Sequence, residues 1–219
     1  MTQDPTQNRP MTVRAAPSIT IGPDTGDLRG TDDKVLQAGV EYLHRLGGGI
    51  LRILPGEYTL RNALYLRPNL TIRGSGPDTV LKKAPSTTTR LLQDSDWYES
   101  RIRVENTEGF TPGAGIVLRC YYEGGAYPTM VLKDTITAID GDTISLSHRL
   151  TQNMWPSRGA TVSTLFALLT AEYVNDVTVE NLVLDGNREH NEELNGNYVS
   201  GVFIQHCDRY MFRNVTVRN

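Results

Sequence analysis

The densest group of reactive side chains in this sequence lies in residues 185–200, which carry Asp185, Asn187, Arg188, Glu189, His190, Glu192 and Glu193 in one excursion. An arginine grips a planar carboxylate through two parallel N–H donors, so Arg188 fits an acidic ligand, with Asn187 beside it as a further binding group. His190, or a neighbouring carboxylate, can take up a proton near neutral pH. Asp185 and Glu192 offer the oxygen ligands that a hard cation such as Ca2+ prefers. The stretch also reads as plain surface, because Asp185-Gly186-Asn187 is a turn signal and a turn leaves the remainder solvated.

A second group of candidates emerges only through a repeat. Val177-Thr178-Val179-Glu180-Asn181-Leu182-Val183-Leu184 aligns with Tyr210-Met211-Phe212-Arg213-Asn214-Val215-Thr216-Val217, with Asn181 and Asn214 33 residues apart. Each copy reads as strand, Asn bend, strand, and Leu70-Thr71-Ile72-Arg73-Gly74 fits the same frame with glycine at the bend. In a coil of parallel strands, equivalent positions stack about 4.8 Å apart. Asparagine tolerates left-handed backbone and offers both a donor and an acceptor, so a ladder of bend asparagines is expected. Extended backwards, the frame sets Thr170 opposite Phe203 and Glu172 opposite Gln205, all outward, with Tyr65 near the same row and Leu169, Ala171, Val202 and Ile204 inward. Tyr65, Thr170, Phe203 and Gln205 then line a groove as ligand-binding residues, with Glu172 as a catalytic candidate. A solvated strand face carries the same pattern.

The elements that must hold these residues are small. Thr31 as N-cap, Asp32 and Asp33 in the first turn, and Leu36, Val40, Leu43 and Leu46 on one side predict a helix that Gly47-Gly48-Gly49 ends. Short strands follow at Ile50-Leu51-Arg52-Ile53-Leu54, Tyr58-Thr59-Leu60, Ala63-Leu64-Tyr65-Leu66 and Asn69-Leu70-Thr71-Ile72-Arg73-Gly74, too closely linked for helical crossovers. Repeats that cannot bury their own faces stack to share one core, so the expectation is a solenoid. Residues 94–163 have a different texture. Alternating runs at Ser100-Arg101-Ile102-Arg103-Val104, Gly115-Ile116-Val117-Leu118-Arg119, Met130-Val131-Leu132, Thr135-Ile136-Thr137-Ala138-Ile139 and Thr143-Ile144-Ser145-Leu146, with the turn Asp140-Gly141-Asp142, predict an inserted antiparallel subdomain. Trp97, Tyr98, Tyr121, Tyr122, Tyr127 and Trp155 are either its packing or a supply of rings for stacking on sugars. The expected organisation is a disordered tail over 1–17, a cap and first coils over 18–93, the insertion over 94–163, and further coils over 164–219.

Other features exclude more than they assign. The 219 residues carry a formal charge of −3, with no basic excess to suggest nucleic acid, and no apolar run approaches a membrane span. Residues 1–17 lack the apolar centre of a signal peptide. Cys120 and Cys207 read as buried thiols, with a disulfide as the less favoured alternative. By alternation His206 points inward or into the following turn as a hydrogen-bonded structural histidine, with reach to a groove ligand as the less favoured alternative, and His44 and His148 have no neighbours of metal-binding type. No zinc, phosphate-loop or nucleophile-elbow pattern is present.

Residues 31–85, with TDDKVLQAGVEYLHRLGGGILRILPGEYTL and LYLRPNLTIRGSGPDTVLKKAP, resemble the N-terminal cap and first coils of the pectate-lyase-like right-handed parallel β-helix proteins. That group includes pectate lyases, polygalacturonases, alginate C5-epimerases and phage tailspikes. Leu182-Val183-Leu184-Asp185-Gly186-Asn187-Arg188 is similar to a segment of the epimerase modules. The resemblance implies an all-β fold: a right-handed single-stranded parallel β-helix with an N-terminal capping helix and the inserted antiparallel β subdomain. It implies a polysaccharide ligand and an extracellular setting, and for an enzyme a lyase or epimerase acting on a uronate polymer by proton abstraction at carbon 5. Ca2+ is the metal many such lyases use. A non-catalytic, tailspike-like or glycan-binding β-helix is the alternative. The chain departs from the epimerase pattern in having no lysine within 189–200. No closing cap is legible after Val217, so the sequence reads as an N-terminal part, its catalytic coils beyond Asn219, or as a β-helix that forms a homo-oligomer through its open end.

Overall fold

The computed structural model describes residues 16–122, 128–194 and 198–219. All but the last two residues of the expected tail, and Tyr127, lie outside the described residues. Strands β1 (Ser18–Gly22) and β2 (Leu28–Arg29) lead into helix α1 (Asp33–Arg45). The N-cap is Asp32 instead of Thr31, its carboxylate accepting the Val35 N–H at 3.1 Å. Either residue type caps well, but aspartate adds a charge that the helix N-terminus favours. Leu36, Val40 and Leu43 are fully buried in the core formed with the strands that follow.

Those strands are β3 (Gly49–Ile53), β4 (Gly56–Leu60), β5 (Leu64–Tyr65), β6 (Leu70–Arg73) and β7 (Thr79–Lys83). Next in the chain come β8 (Thr88–Arg90), β9 (Arg101–Arg103), β10 (Gly115–Tyr121), β11 (Pro128–Asp140), β12 (Thr143–Leu146) and β13 (Thr161–Ser163). The last four are β14 (Leu169–Glu172), β15 (Val177–Asp185), β16 (Val202–Gln205) and β17 (Tyr210–Arg218).

The fold is all-β and parallel-helix-like. One parallel ladder runs β1, β3, β6, the first half of β15 and the first half of β17; a second runs β4, β7 and the second halves of β15 and β17; a third runs β5, β14 and β16. Each coil therefore has three sides, and apolar side chains stack in columns inside it. Ile19, Leu51, Ile72 and Val179 form one column, and Tyr58, Leu81 and Leu184 another. The corner between the first two sides falls at Gly74, Asn181 and Asn214. Asn181 and Asn214 have left-handed backbone, at φ 57° and 51°, and Asn214 Nδ2 donates to Asn181 Oδ1 at 3.1 Å, the ladder expected from the repeat.

The antiparallel sheet has the order β8-β13-β10-β11-β12-β9 and its own core, including Ile116, Leu118, Ile136, Ile144 and Val162. The hairpin at Gly141 forms as expected, Asp140 pairing with Thr143. Two details differ from the sequence reading. The sheet begins before residue 94, because β8, too short and polar to stand out, pairs with β13. The two runs around Met130 and Thr135 are one strand, since Lys133 and Asp134 break the apolar alternation without leaving the ladder to β10. Both cysteines are free thiols, Cys120 buried and Cys207 half-buried.

The sheet enters between the second and third sides of the second coil, after β7, and the loop of residues 186–201 leaves the third coil at the same corner. A Cβ at Gly74 would lie 2.3 Å from the Asn181 carbonyl oxygen on the next coil, closer than atoms can pack without displacing the stack. Gly74→Ala is expected to destabilise the protein by about 1–3 kcal/mol in urea unfolding; an unchanged midpoint would show that this close approach does not constrain the coil.

Candidate functional site

The third side of the coil carries the expected row. Thr170 is in register with Tyr65 on one side and Phe203 on the other, and Glu172 faces Gln205. Leu169 and Ala171 are buried between them, as alternation requires. Strand β5 is an edge, and α1 completes it: Gln37 accepts the Tyr65 N–H at 2.9 Å and donates to the Tyr65 carbonyl at 3.1 Å. A side-chain amide thus replaces a neighbouring strand and fixes Tyr65.

Where this side meets the antiparallel sheet there is a cleft of about 300 Å³, whose lining includes Tyr65, Thr170 and Glu172 from the coil and Lys133, Asp134 and His148 from the sheet. Lys133 spans the seam. Its Nζ lies 3.2 Å from the centre of the Phe203 ring and donates to Glu172 Oε1 at 3.3 Å. Burial pulls the Lys133 ammonium below the usual lysine range, and the Glu172 carboxylate pulls the other way. Asn62, at the coil corner, donates to the Gly113 carbonyl and to Thr135 Oγ1, both at 3.0 Å, and receives the Tyr65 hydroxyl at 3.4 Å. Burial raises the Tyr65 phenol above its ordinary value, so it stays protonated through neutral pH.

Sequence reasoning missed His148. The Asp134 side chain, only 6% exposed, sits 3.0 Å from His148 Nδ1 and also accepts the His148 backbone N–H at 3.2 Å and the Ser147 hydroxyl. A carboxylate only accepts, so Nδ1 carries the proton and Nε2 of the 81%-exposed imidazole is left as an acceptor. Of its two expected positions His206 takes the turn after the strand: it is exposed at a left-handed bend, φ 52°, and stacks on Tyr173 with ring centres 4.8 Å apart. Alternation stops at the strand end, one residue before it.

The loop candidates do not join this cleft. Asn187 Nδ2 donates to the Lys83 carbonyl at 3.0 Å and Asn191 Nδ2 to the Ala84 carbonyl at 3.2 Å, which folds the loop back over the end of β7. His190 Nδ1 then faces Asn187 Oδ1 at 3.0 Å, and Arg188 pairs with Glu193 at 3.3 Å. Arg188 lines a separate cleft of about 260 Å³ with Lys83, sharing no residue with the first. Arg188 and His190 therefore do not line the cleft that Glu172 lines.

Asp185 and Glu192 are each bound by an arginine, Arg218 and Arg119. The Asp185 carboxylate accepts from Arg218, Asn187 and Asn219 at 2.9–3.1 Å, which holds it below the usual carboxylate range despite burial. Glu192 is held two-pronged by Arg119 at 2.7 and 2.8 Å. Among the described residues no three His, Cys, Asp or Glu side chains come together as a metal site, and these two arginine-bound carboxylates do not fit the Ca2+ expected of them. No described helix is long and apolar enough to cross a membrane.

No protein-family model and no curated protein matches the sequence. Among solved structures, the chain is similar to the tailspike of Pseudomonas phage phi297, with 11% identity over 84% of this chain and 30% of that one and a TM-score of 0.37. It is similar to the tailspike of Acinetobacter baumannii bacteriophage AP22, solved with A. baumannii capsular saccharide, with 13% identity over 81% of this chain and 33% of that one and a TM-score of 0.35. It is also similar to a mannuronan C-5 epimerase A-module from Azotobacter vinelandii, with 14% identity over 84% and 36% and a TM-score of 0.35. The chain spans about a third of the length of each.

Lys83 is buried, its ammonium held by the Val199 carbonyl, and burial pushes its pKa down to about 8. The unfolded chain holds this proton up to about pH 10.4. Between those values the unfolded state binds more protons, so this group makes the fold more stable as pH rises. In urea unfolding, the stability of the wild type relative to Lys83→Met should therefore increase between about pH 7 and about pH 10; a constant difference would contradict a desolvated ammonium.

Proposed function

We propose that the protein is a right-handed parallel β-helix, with α1 as its cap, that acts on an acidic polysaccharide in the cleft between the coil and the antiparallel sheet. The observation that carries this reading is the convergence there of a cation over an aromatic ring, a phenol held protonated and a carboxylate-oriented imidazole. Lys133 offsets the charge of a uronate carboxylate, which lowers the cost of drawing a proton from carbon 5. His148 Nε2 takes that proton while Asp134 holds the ring and stabilises the imidazolium. In elimination, the electron pair left on carbon 5 forms the C4–C5 double bond, the C4–O bond breaks, and Tyr65 protonates the departing oxygen. In epimerisation, a proton returns to the opposite face of carbon 5 and no bond to oxygen breaks. Thr170 and Phe203 continue the row along which the polymer lies, and Glu172 holds Lys133 at the cleft.

The resemblance of residues 31–85 to the pectate-lyase-like proteins supports a uronate substrate, and the chemistry is assigned to other residues than the loop candidates. The test is incubation with polygalacturonate and with alginate, following near-ultraviolet absorbance for unsaturated ends and proton NMR for epimer change. His148→Ala and Tyr65→Phe are each expected to lower turnover by about 100-fold or more, and Lys133→Ala to weaken uronate binding. If neither polymer gives either product yet both bind, the cleft is a glycan-binding site without turnover.

A further inference from the structure

A third cleft lies on the antiparallel sheet, away from the coil row. It encloses about 610 Å³, and its lining includes Thr88, Arg90, Glu105, Arg119, Tyr121 and Glu192, none of them shared with the first cleft. Its floor is a fixed polar plane. Arg119, 8% exposed, grips both oxygens of Glu192 and donates to Ser163 Oγ at 3.0 Å, while Thr88 Oγ1 donates to Glu192 Oε2 at 2.9 Å. The two charges cancel within the floor, and Arg90 and Glu105 at the rim are again of opposite sign, so the cleft has no excess charge with which to hold an ion.

Its wall is Tyr121. The pairing of β10 with β11 shifts at this residue, Cys120 facing Met130 but Tyr121 facing Pro128, and such irregularities re-aim a side chain. One edge of the ring rests against Gly159, where φ is 67° and a Cβ would lie 3.2 Å from the ring. Tyr121 is 37% exposed, so it is held in place with surface left to offer. An ion pair that only tied the loop to the sheet would need neither this wall nor an open volume above it.

We propose that this cleft is a binding site for a neutral hexopyranose unit of a glycan, separate from the first cleft. Planar guanidinium and carboxylate groups match adjacent sugar hydroxyls, one donating and the other accepting, and the C–H face of a pyranose packs on an aromatic ring. Glu192 keeps oxygen surface for this purpose, its side chain being 41% exposed although it is bound to Arg119.

The experiment is calorimetric titration of the protein with neutral tetrasaccharides of glucose, of galactose and of mannose. At least one is expected to bind. Tyr121→Ala should weaken that binding by about tenfold or more, the stacking and area lost with an aromatic contact, and Tyr121→Phe should retain it. Lys133→Ala should leave it unchanged. The proposal is overturned if none of the three binds, or if binding survives Tyr121→Ala. Uronate turnover reads the first cleft and neutral-sugar affinity this one, so the failure of either reading is seen separately.

Discussion

Everything in this molecule depends on coils stacking in register. Parallel strands repeat at about 4.8 Å, so a residue that does not fit at one level obstructs the next. The corner between the first and second sides shows how narrow the choice is. Asn181 and Asn214 meet it with left-handed backbone and a side-chain hydrogen bond to each other, and Gly74 meets it by having no side chain. The same stacking buries one charge. Glu180 is almost fully covered, with Arg73 at 2.5 Å from the coil before and Arg213 at 3.9 Å from the coil after, so its desolvation is offset by neighbours that the register itself supplies. Once these corners are set, Tyr65, Thr170 and Phe203 can fall only in one row.

Register also decides where the chain may leave the coil. The Asn62 turn, the antiparallel sheet and the loop of residues 186–201 occupy the same corner on three successive coils, so they must pack on one another. They do so with matched chemistry. Asn62 bonds to the backbone of the sheet, Leu194 of the loop packs on Val117 and Leu165, and Glu192 meets Arg119. A loop held this way is not free to lie over the coil row, which is why Arg188 and His190 end elsewhere than Glu172. The first cleft is the space left where straight coils and a twisted sheet do not close against each other.

Most of the scaffold was legible in the sequence because it is periodic. The 33-residue offset of Asn181 and Asn214 gave the ladder and, by alternation, the outward row and the buried Leu169 and Ala171. What periodicity cannot carry was missed. Asp32 and Thr31 are both good caps one residue apart, and three residues as polar as Thr88, Thr89 and Arg90 do not announce a strand. His148 was the costly omission, yet a signal existed. Counting outward from the turn at Gly141 brings Asp134 within one residue of facing His148, and only the pairing irregularity between Ile136 and Ala138 brings them fully together. The direction of a long loop, by contrast, is set by contacts such as Asn187 to Lys83 that no local pattern encodes.

Lys133 ties the chemistry of the first cleft to the joining of the two sheets. It belongs to β11, but both of its polar and aromatic partners, Glu172 and Phe203, belong to the coil. An ammonium in such a seam loses hydration, and the ring face and the carboxylate return part of what is lost. The result is a cation already stripped of much of its water and aimed at the row where a polymer would lie. In that setting its interaction with an arriving carboxylate is stronger than in bulk water, because the surrounding protein screens it less. Separating the sheets would rehydrate Lys133 and release Glu172 and Phe203 together, so the packing that stabilises the seam is the same packing that prepares the cleft.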